Sequence, residues 1–449
     1  MERESFGSKL GILAAAAGSA IGLGNIWKFP FIVGQNGGAA FILVYLVCIA
    51  LIGLPVMLSE FSLGRHAMGN AVQSFRAVKK TGFWHLGGYM AVMTAFIILS
   101  YYAMIAGWVG SYLFRAASGA LMQIPSGSQD SFFNGLISSP VENVAACFVV
   151  LALTTVVCLF GVKSGIEKVS KTLMPVLLLL LVYLMFKSVS LEGASKGLEF
   201  LFSPDFSYLK DPSVILEALG HAFYSLSLGM GIIITYGSYI GKNENLGALS
   251  IQVTIADTLI ALMAGVVIFP AVFAFGFEPT EGPGLIFITL PAVFEQMPMG
   301  GVFATLFFAL IGIAALTSTI SLMEVVVTFC SEQFNWVRKK ATVIVGAALF
   351  ALSIPSTLSF SVWSDVKIFG LGFFDLFDKT ASNILLPLGG LIVCVFVGWV
   401  WGTDNVAKEV SNEGKLSFAW RGFYAFSIKL LAPLAILVIF VTKLKELFA

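Results

Sequence analysis

Residues 18–25 read Gly-Ser-Ala-Ile-Gly-Leu-Gly-Asn, small and helix-breaking, in the middle of the first apolar run of the chain. A helix that crosses hydrocarbon and loses its regular hydrogen bonds there must re-use the freed backbone groups, because no water is present to satisfy them. Unwinding between Ala20 and Asn25 offers carbonyls, amides and one side-chain amide. Carbonyl oxygens suit a hard cation such as sodium, and the positive helix end beginning at Leu23 and Gly24 suits a carboxylate. The chemistry implied is a zwitterion held beside a cation. The competing reading is a glycine-rich helix packed tightly on a neighbour, but the run continues Ile-Trp-Lys-Phe-Pro, with a charge and a proline that tight packing does not require.

A matching interruption, Phe223-Tyr-Ser-Leu-Ser-Leu-Gly-Met-Gly231, falls in the second half. Ser225 and Ser227 offer hydroxyls and carbonyls, Tyr224 and Met230 an apolar wall; taken alone, the serines also fit hydroxyls bonded back to their own helix. Asp257 lies near the middle of a later apolar run, roughly 16 Å deep at about 1.5 Å per residue. A carboxylate there costs several kcal/mol unless a cation answers it, so Asp257 reads as a sodium ligand, the alternative being a protonated group on a neighbouring hydroxyl. Further on, Thr317 and Ser318 present adjacent hydroxyls one turn after Ala314, a combination that fits a second sodium or simple back-bonding. Tyr102 can donate to a carboxylate or serve as packing. Lys28 and Asp378 flank the outer side as gate partners or ordinary interface charges, and Glu324 reads as a buried polar partner rather than a ligand. His221 has no companion histidine or zinc motif, and Cys48, Cys147, Cys158, Cys330 and Cys394 show no metal-type pairing, which fits small core residues. No nucleophile and base dyad is present, so the chain does not read as an enzyme.

These groups need membrane-spanning elements to position them. With 58% hydrophobic and 11% charged residues over 449 positions, the composition is that of an integral membrane protein. The first run is too long and glycine-rich for a cleaved leader. Eleven apolar runs are long enough to cross, near 9–33, 39–65, 84–116, 143–161, 166–187, 213–239, 246–276, 302–333, 339–355, 375–401 and 421–445. Most of the 26 Lys and Arg fall on one side when the N-terminus is cytoplasmic, which sends the C-terminus outside. Five spans precede a polar stretch at 188–212 and five follow it, so the second group enters from the opposite side. Paired interruptions in two such groups point to an inverted-repeat transporter. The expected fold is an all-α membrane protein of 11 transmembrane helices, an inverted 5+5 repeat with unwound first and sixth helices plus one accessory helix. Its parts are a first repeat at 1–187, an external connection at 188–212, a second repeat at 213–401, and a cytoplasmic loop with the accessory span at 402–449. Residues 285–294 read as a re-entrant hairpin tip.

Gly22-Leu-Gly-Asn-Ile-Trp-Lys-Phe-Pro30 with Asn36-Gly-Gly38 resembles the neurotransmitter:sodium symporter family, especially its bacterial amino acid transporters, from about Arg3 to at least Trp401. The resemblance implies the bacterial leucine-transporter fold and alternating access driven by sodium, with two ions. It implies a first sodium site at the Ala20 carbonyl, Asn25, Ser225 and Asp257, closed by the substrate carboxylate. It implies a second at the carbonyls of Gly18, Ile21 and Ala314 with Thr317 and Ser318. Substrate contacts carried over are Ala20, Leu23, Gly24, Ile98, Tyr102, Tyr224, Ser225, Ser227, Met230, Ser318 and Leu322. Arg3 and Glu332 match an internal gate pair beside Phe6, and Gly165 and Pro175 match a spacing linked to local unwinding in the fifth span.

Several residues depart from the family pattern. Gly22 stands where amine carriers have an aspartate, which implies a substrate that brings its own carboxylate. Asp257 adds fixed negative charge where chloride-dependent relatives recruit an anion, so chloride independence is expected. Lys28 replaces the usual gate arginine and loses bidentate pairing with Asp378. Tyr224 and the pliable Met230 suit a bulky side chain. The expected protein is a multi-pass carrier of the cell (inner) membrane that imports an apolar or aromatic L-amino acid with sodium. A proton-coupled carrier of the same fold is the nearest alternative within transport; a sodium-binding receptor or channel is a rival of another class. No nucleic-acid partner is implied.

Overall fold

The computed structural model describes residues 4–277 and 284–448. Spans one and six are interrupted and the others run through. The first consists of α1 (Lys9–Ala20) and α2 (Gly24–Gln35), bent by 49° at the break. It is followed by α3 (Ala39–Ala67), α4 (His85–Ala117), α5 (Pro140–Leu159) and α6 (Val162–Val189). The sixth is two short pieces, α7 (Pro212–Ser225) and α8 (Ile232–Gly237), neither long enough to cross alone. Then come α9 (Leu246–Ala274), the short α10 (Leu285–Gln296), α11 (Gly300–Gln333) and α12 (Arg338–Leu358). The tenth span, α13 (373–402), turns at Gly402, whose φ of 88° only glycine adopts readily, into α14 (Thr403–Val410); α15 (Arg421–Lys445) closes the chain. Among the described residues the eleven expected crossings are therefore all helical, two of them broken.

Local chemistry sets the helix starts. Ser8 accepts from the Gly11 N–H and Asn245 from the Ala248 N–H, capping α1 and α9. The third helices of the two groups, α4 and α11, make the most extensive helix contact in the molecule. They form a rigid wall, and the broken spans lie against it with α3 and α9 on their other side. This is the inverted-repeat arrangement with one accessory helix. Where α8 crosses α3, backbone touches backbone: a Cβ on Gly237 would lie 2.6 Å from the Phe61 carbonyl oxygen, and one on Gly64 would overlap the Ile234 carbonyl. Small residues at such crossings let two helices approach closely.

The expected re-entrant hairpin tip at 285–294 falls within one short apolar helix, α10 (Leu285–Gln296). Its Phe287 is buried among Trp27, Trp108, Tyr112, Phe133 and Phe308, and its carbonyl accepts from Tyr112 Oη at 2.8 Å. α10 thus plugs one end of the broken spans, here called the vestibule end.

Gly237→Ala should lower the thermal unfolding midpoint of the detergent-purified protein by several degrees, as overpacking costs about 1–3 kcal/mol. Gly110→Ala, whose added atom meets nothing within 4 Å, should leave the midpoint nearly unchanged.

Candidate functional site

The first break is a two-residue event. Ile21 turns extended, with ψ 92°, and beyond Gly22 the chain resumes as a wide π-type turn over Gly24–Lys28. Asn25 stitches it: its Oδ1 accepts the Gly22 N–H at 3.1 Å and its Nδ2 reaches across to Asp257 Oδ1 at 2.7 Å. At the second break Ser227, Gly229 and Gly231 all take positive φ (56°, 77° and 78°). The freed Gly229 N–H donates to Glu60 Oε1 at 2.7 Å, and Ser227 Oγ donates to the Ser19 carbonyl at 3.0 Å. Each break therefore satisfies part of the other.

Between them lies a fully buried polar cluster. Asp257 on α9 is wholly inaccessible, and Ser225 Oγ lies 3.0 and 2.9 Å from its two carboxylate oxygens. Its partners are the neutral Asn25 and Ser225, and no Lys, Arg or His among the described residues forms an ion pair with it. Of the residues expected at the first sodium site, Asn25, Ser225 and Asp257 are in direct contact. The arrangement presents carboxylate and hydroxyl oxygens with no cation to answer them, beside an amide whose Oδ1 takes the Gly22 N–H; the oxygens fit a hard monovalent ion. A second cluster lies where α1 meets α11. Thr317 Oγ1 donates to the Ala314 carbonyl at 3.1 Å, and a Cβ on Gly18 would lie 3.4 Å from Thr317 Cβ, so α1 and α11 meet there. Neighbouring Ser318 Oγ is buried without a hydrogen-bond partner.

Beside both clusters is a small cavity of about 30 Å³ lined by ten of the eleven expected contact residues: Ala20, Gly24, Ile98, Tyr102, Tyr224, Ser225, Ser227, Met230, Ser318 and Leu322. The eleventh, Leu23, lines the vestibule beyond, yet its N–H donates to Tyr102 Oη at 3.1 Å, which ties it to the same tyrosine. Tyr102 Oη accepts that bond and keeps its own proton to donate. Gly22 is needed as glycine, since a Cβ would sit 2.6 Å from Ser318 Oγ. Ser19, Gly22 and Ile232 also line the cavity and were not among the expected contacts. Glu60 was missed altogether. Its signal, an acidic residue inside an apolar run, is the one that exposed Asp257.

At the vestibule end, Lys28 and Asp378 border one chamber with Trp27, Tyr101 and Phe374. They form no ion pair within 4 Å in this structure: the Lys28 ammonium lies 4.7 Å over the Tyr224 ring, and Asp378 accepts from Ser382 at 3.0 Å. A single ammonium lacks the fork that would hold a carboxylate in two bonds, and the ring face offers a competing seat. Tyr224 thereby separates cavity from vestibule. At the opposite end, Arg3 of the expected internal pair lies outside the described residues; Glu332 accepts from the Asn70 backbone and side-chain amides at 2.8 and 3.0 Å. Phe6 packs edge-on against Tyr236 and Tyr239. Glu324 is a structural partner, fully buried and paired with Arg338 at 2.6 Å. Gly165 lies in a π-type turn over Val162–Glu167 and Pro175 inside α6. His221 stacks on Phe29 with no hydrogen bond to either nitrogen, and no cluster of metal-binding side chains occurs among the described residues.

The model of the sodium:neurotransmitter symporter family matches residues 3–125 and 136–449. The chain belongs to this family. An uncharacterized sodium-dependent transporter of Bacillus subtilis strain 168, YhdH, is 41% identical over 96% of both chains. A further sodium-dependent transporter, from Haemophilus influenzae, is 36% identical over 99% of this chain and 98% of its own. Among solved structures, that of MhsT in complex with L-phenylalanine superposes with a TM-score of 0.91 at 45% identity, covering 98% of this chain and all of the other. The chain is thus a multi-pass membrane transporter and not an enzyme, built on the fold that its motifs resemble.

Arg338→Met should cost about 3–5 kcal/mol by leaving the Glu324 carboxylate buried without a cation, with only the Tyr239 and Thr328 hydroxyls to meet it. Glu324→Gln should cost less, because Arg338 retains some solvent access. The double variant should recover stability relative to Arg338→Met; thermal unfolding of the purified proteins measures all three.

Proposed function

We propose that the protein is a sodium-coupled symporter that imports an apolar or aromatic L-amino acid by alternating access, without a need for chloride. The observation that carries this reading is Asp257: a carboxylate in the middle of the membrane whose contacts are neutral side chains on two broken helices. A carboxylate so placed calls for a cation, and an internal one removes the need for a second anion. We assign sodium site one to the Ala20 carbonyl, Asn25, Ser225 and Asp257, and sodium site two to the carbonyls of Gly18, Ile21 and Ala314 with Thr317 and Ser318.

In this reading the substrate carboxylate is held by the Tyr102 hydroxyl and by the amides at Leu23 and Gly24, where the α2 dipole begins. Its side chain fills the space bounded by Ile98, Tyr224, Met230 and Leu322, none of which carries a charge. Gly22 leaves room for the substrate's own carboxylate. The description of MhsT as bound to L-phenylalanine supports the same class. Sodium acts by binding one conformer better than the other and shifting the population, and a potential of ~100 mV adds about 2.3 kcal/mol per translocated charge. We place the N-terminus in the cytoplasm and the C-terminus outside the cell membrane, with repeats at 1–187 and 213–401, so that the vestibule faces outward. Arg3 with Glu332 would close the inner end.

Binding of radiolabelled phenylalanine to purified protein, titrated with sodium at constant ionic strength, tests the assignment. Wild type should bind only with sodium. Asp257→Ala should raise the half-saturating sodium concentration at least tenfold with the protein still folded, and Tyr102→Phe should weaken phenylalanine by about tenfold, one hydrogen bond to a charged group. Wild-type sodium dependence in Asp257→Ala, or equal binding in sodium-free acidic buffer, would remove sodium from this site and favour proton coupling.

A further inference from the structure

A second cavity, of about 890 Å³, lies on the flank of the molecule between α4, α5, α6 and α11, away from the central site. Its lining is apolar over most of its extent, and its width comes from glycines: a Cβ on Gly110 would meet nothing within 4 Å, and one on Gly312 only side-chain tips at 3.9–4.0 Å. Phe114, Val149 and Leu153 on its walls are more than half exposed, so the groove opens toward the bilayer. Apolar space of this kind does not hold water, and hydrocarbon is what surrounds it. The groove is polar at its vestibule end. Arg115 donates through both Nη atoms to the two carboxylate oxygens of Glu142, at 2.7 and 3.0 Å, and the guanidinium stands over the Phe132 ring at 5.5 Å. Both side chains keep partial exposure, 25% and 32%.

We propose that this groove binds a membrane phospholipid, with one acyl chain along the glycine-lined wall and a zwitterionic headgroup on the Arg115–Glu142 pair. The pair has no net charge, but it presents a cationic and an anionic group side by side at the depth where an apolar wall ends. A headgroup carrying phosphate and ammonium answers both: phosphate to the free guanidinium edge, ammonium to the carboxylate. An anionic headgroup without an ammonium would face Glu142 uncompensated. The acyl chain packs against Ile313 and Leu316 on α11, on the helix that turns Thr317 toward Gly18 at the second polar cluster. The lipid therefore backs the wall on which that cluster is built.

Native mass spectrometry of the full-length protein, delipidated in detergent and mixed with equimolar phosphatidylethanolamine and phosphatidylglycerol of identical chains, tests the proposal. Wild type should retain one phosphatidylethanolamine at least tenfold over phosphatidylglycerol. Gly110→Phe should lose that adduct at least tenfold while keeping a wild-type thermal midpoint, and Gly110→Leu provides a smaller filling of the same space. Arg115→Gln with Glu142→Gln should abolish the headgroup preference. An unchanged adduct in the Gly110 variants, equal retention of the two lipids by wild type, or a lipid-free dimer that the Gly110 variants dissociate would overturn the assignment, the last by giving the groove to a second copy of the chain.

Discussion

Peptide groups that leave a helix inside hydrocarbon have to be satisfied by protein, and the centre of this molecule is organised around that requirement. The two broken spans bond to each other and to α3. The Ser19 carbonyl of the first receives Ser227 of the second, Asn25 of the first bonds Ser225 at the end of α7, and the Gly229 amide is taken up by Glu60 from α3. Once these groups are paired, the Ser225 hydroxyl and the Asp257 carboxylate meet the Asn25 side-chain amide in the buried centre of the molecule. Local disorder of the helix is thereby converted into a fixed set of donors and acceptors. The rigid packing of α4 on α11 holds Tyr102 and Ser318 against it.

Among the described residues three carboxylates, Glu60, Asp257 and Glu324, are completely buried, each with a different set of partners. Glu324 takes an arginine, with Tyr239 Oη also donating to it. Glu60 takes a backbone amide that the second break leaves free. Asp257 has only neutral donors. Of the three only Glu324 is answered by a cation from within the protein; Glu60 and Asp257 meet neutral donors alone, and of these two it is Asp257 that contacts Asn25 and Ser225 of the broken spans beside the cavity. Glu324, equally buried, ties α11 to α12 through Arg338.

Much of this was legible in the sequence because the signals were violations. Glycines and serines inside an apolar run, at 18–25 and again at 223–231, break a rule that membrane helices otherwise obey, and the structure interrupts the helix at both. Asp257 stood out for the same reason. The cavity lining followed from resemblance, and the structure gathers ten of those eleven residues around one space, with Leu23 attached through Tyr102. What was not legible depends on side-chain direction and on partners far along the chain. Glu60 needed the position of Gly229, 169 residues away, to acquire a role. Lys28 carries the right charge for Asp378, but its reach and the Tyr224 ring decide where it rests. Arg338 as the answer to Glu324 depends on the turn between two spans, which hydropathy does not report.

The central claim is that the buried carboxylate makes transport obey sodium. The most direct measurement is accumulation of labelled phenylalanine, tryptophan and leucine in proteoliposomes under an inward sodium gradient, against matched potassium and proton gradients, each with and without chloride. The account predicts uptake above equilibrium with sodium alone, indifferent to chloride, with at least one of these amino acids. Concentrative uptake driven by protons in sodium-free buffer would contradict it and leave the fold standing without the proposed coupling.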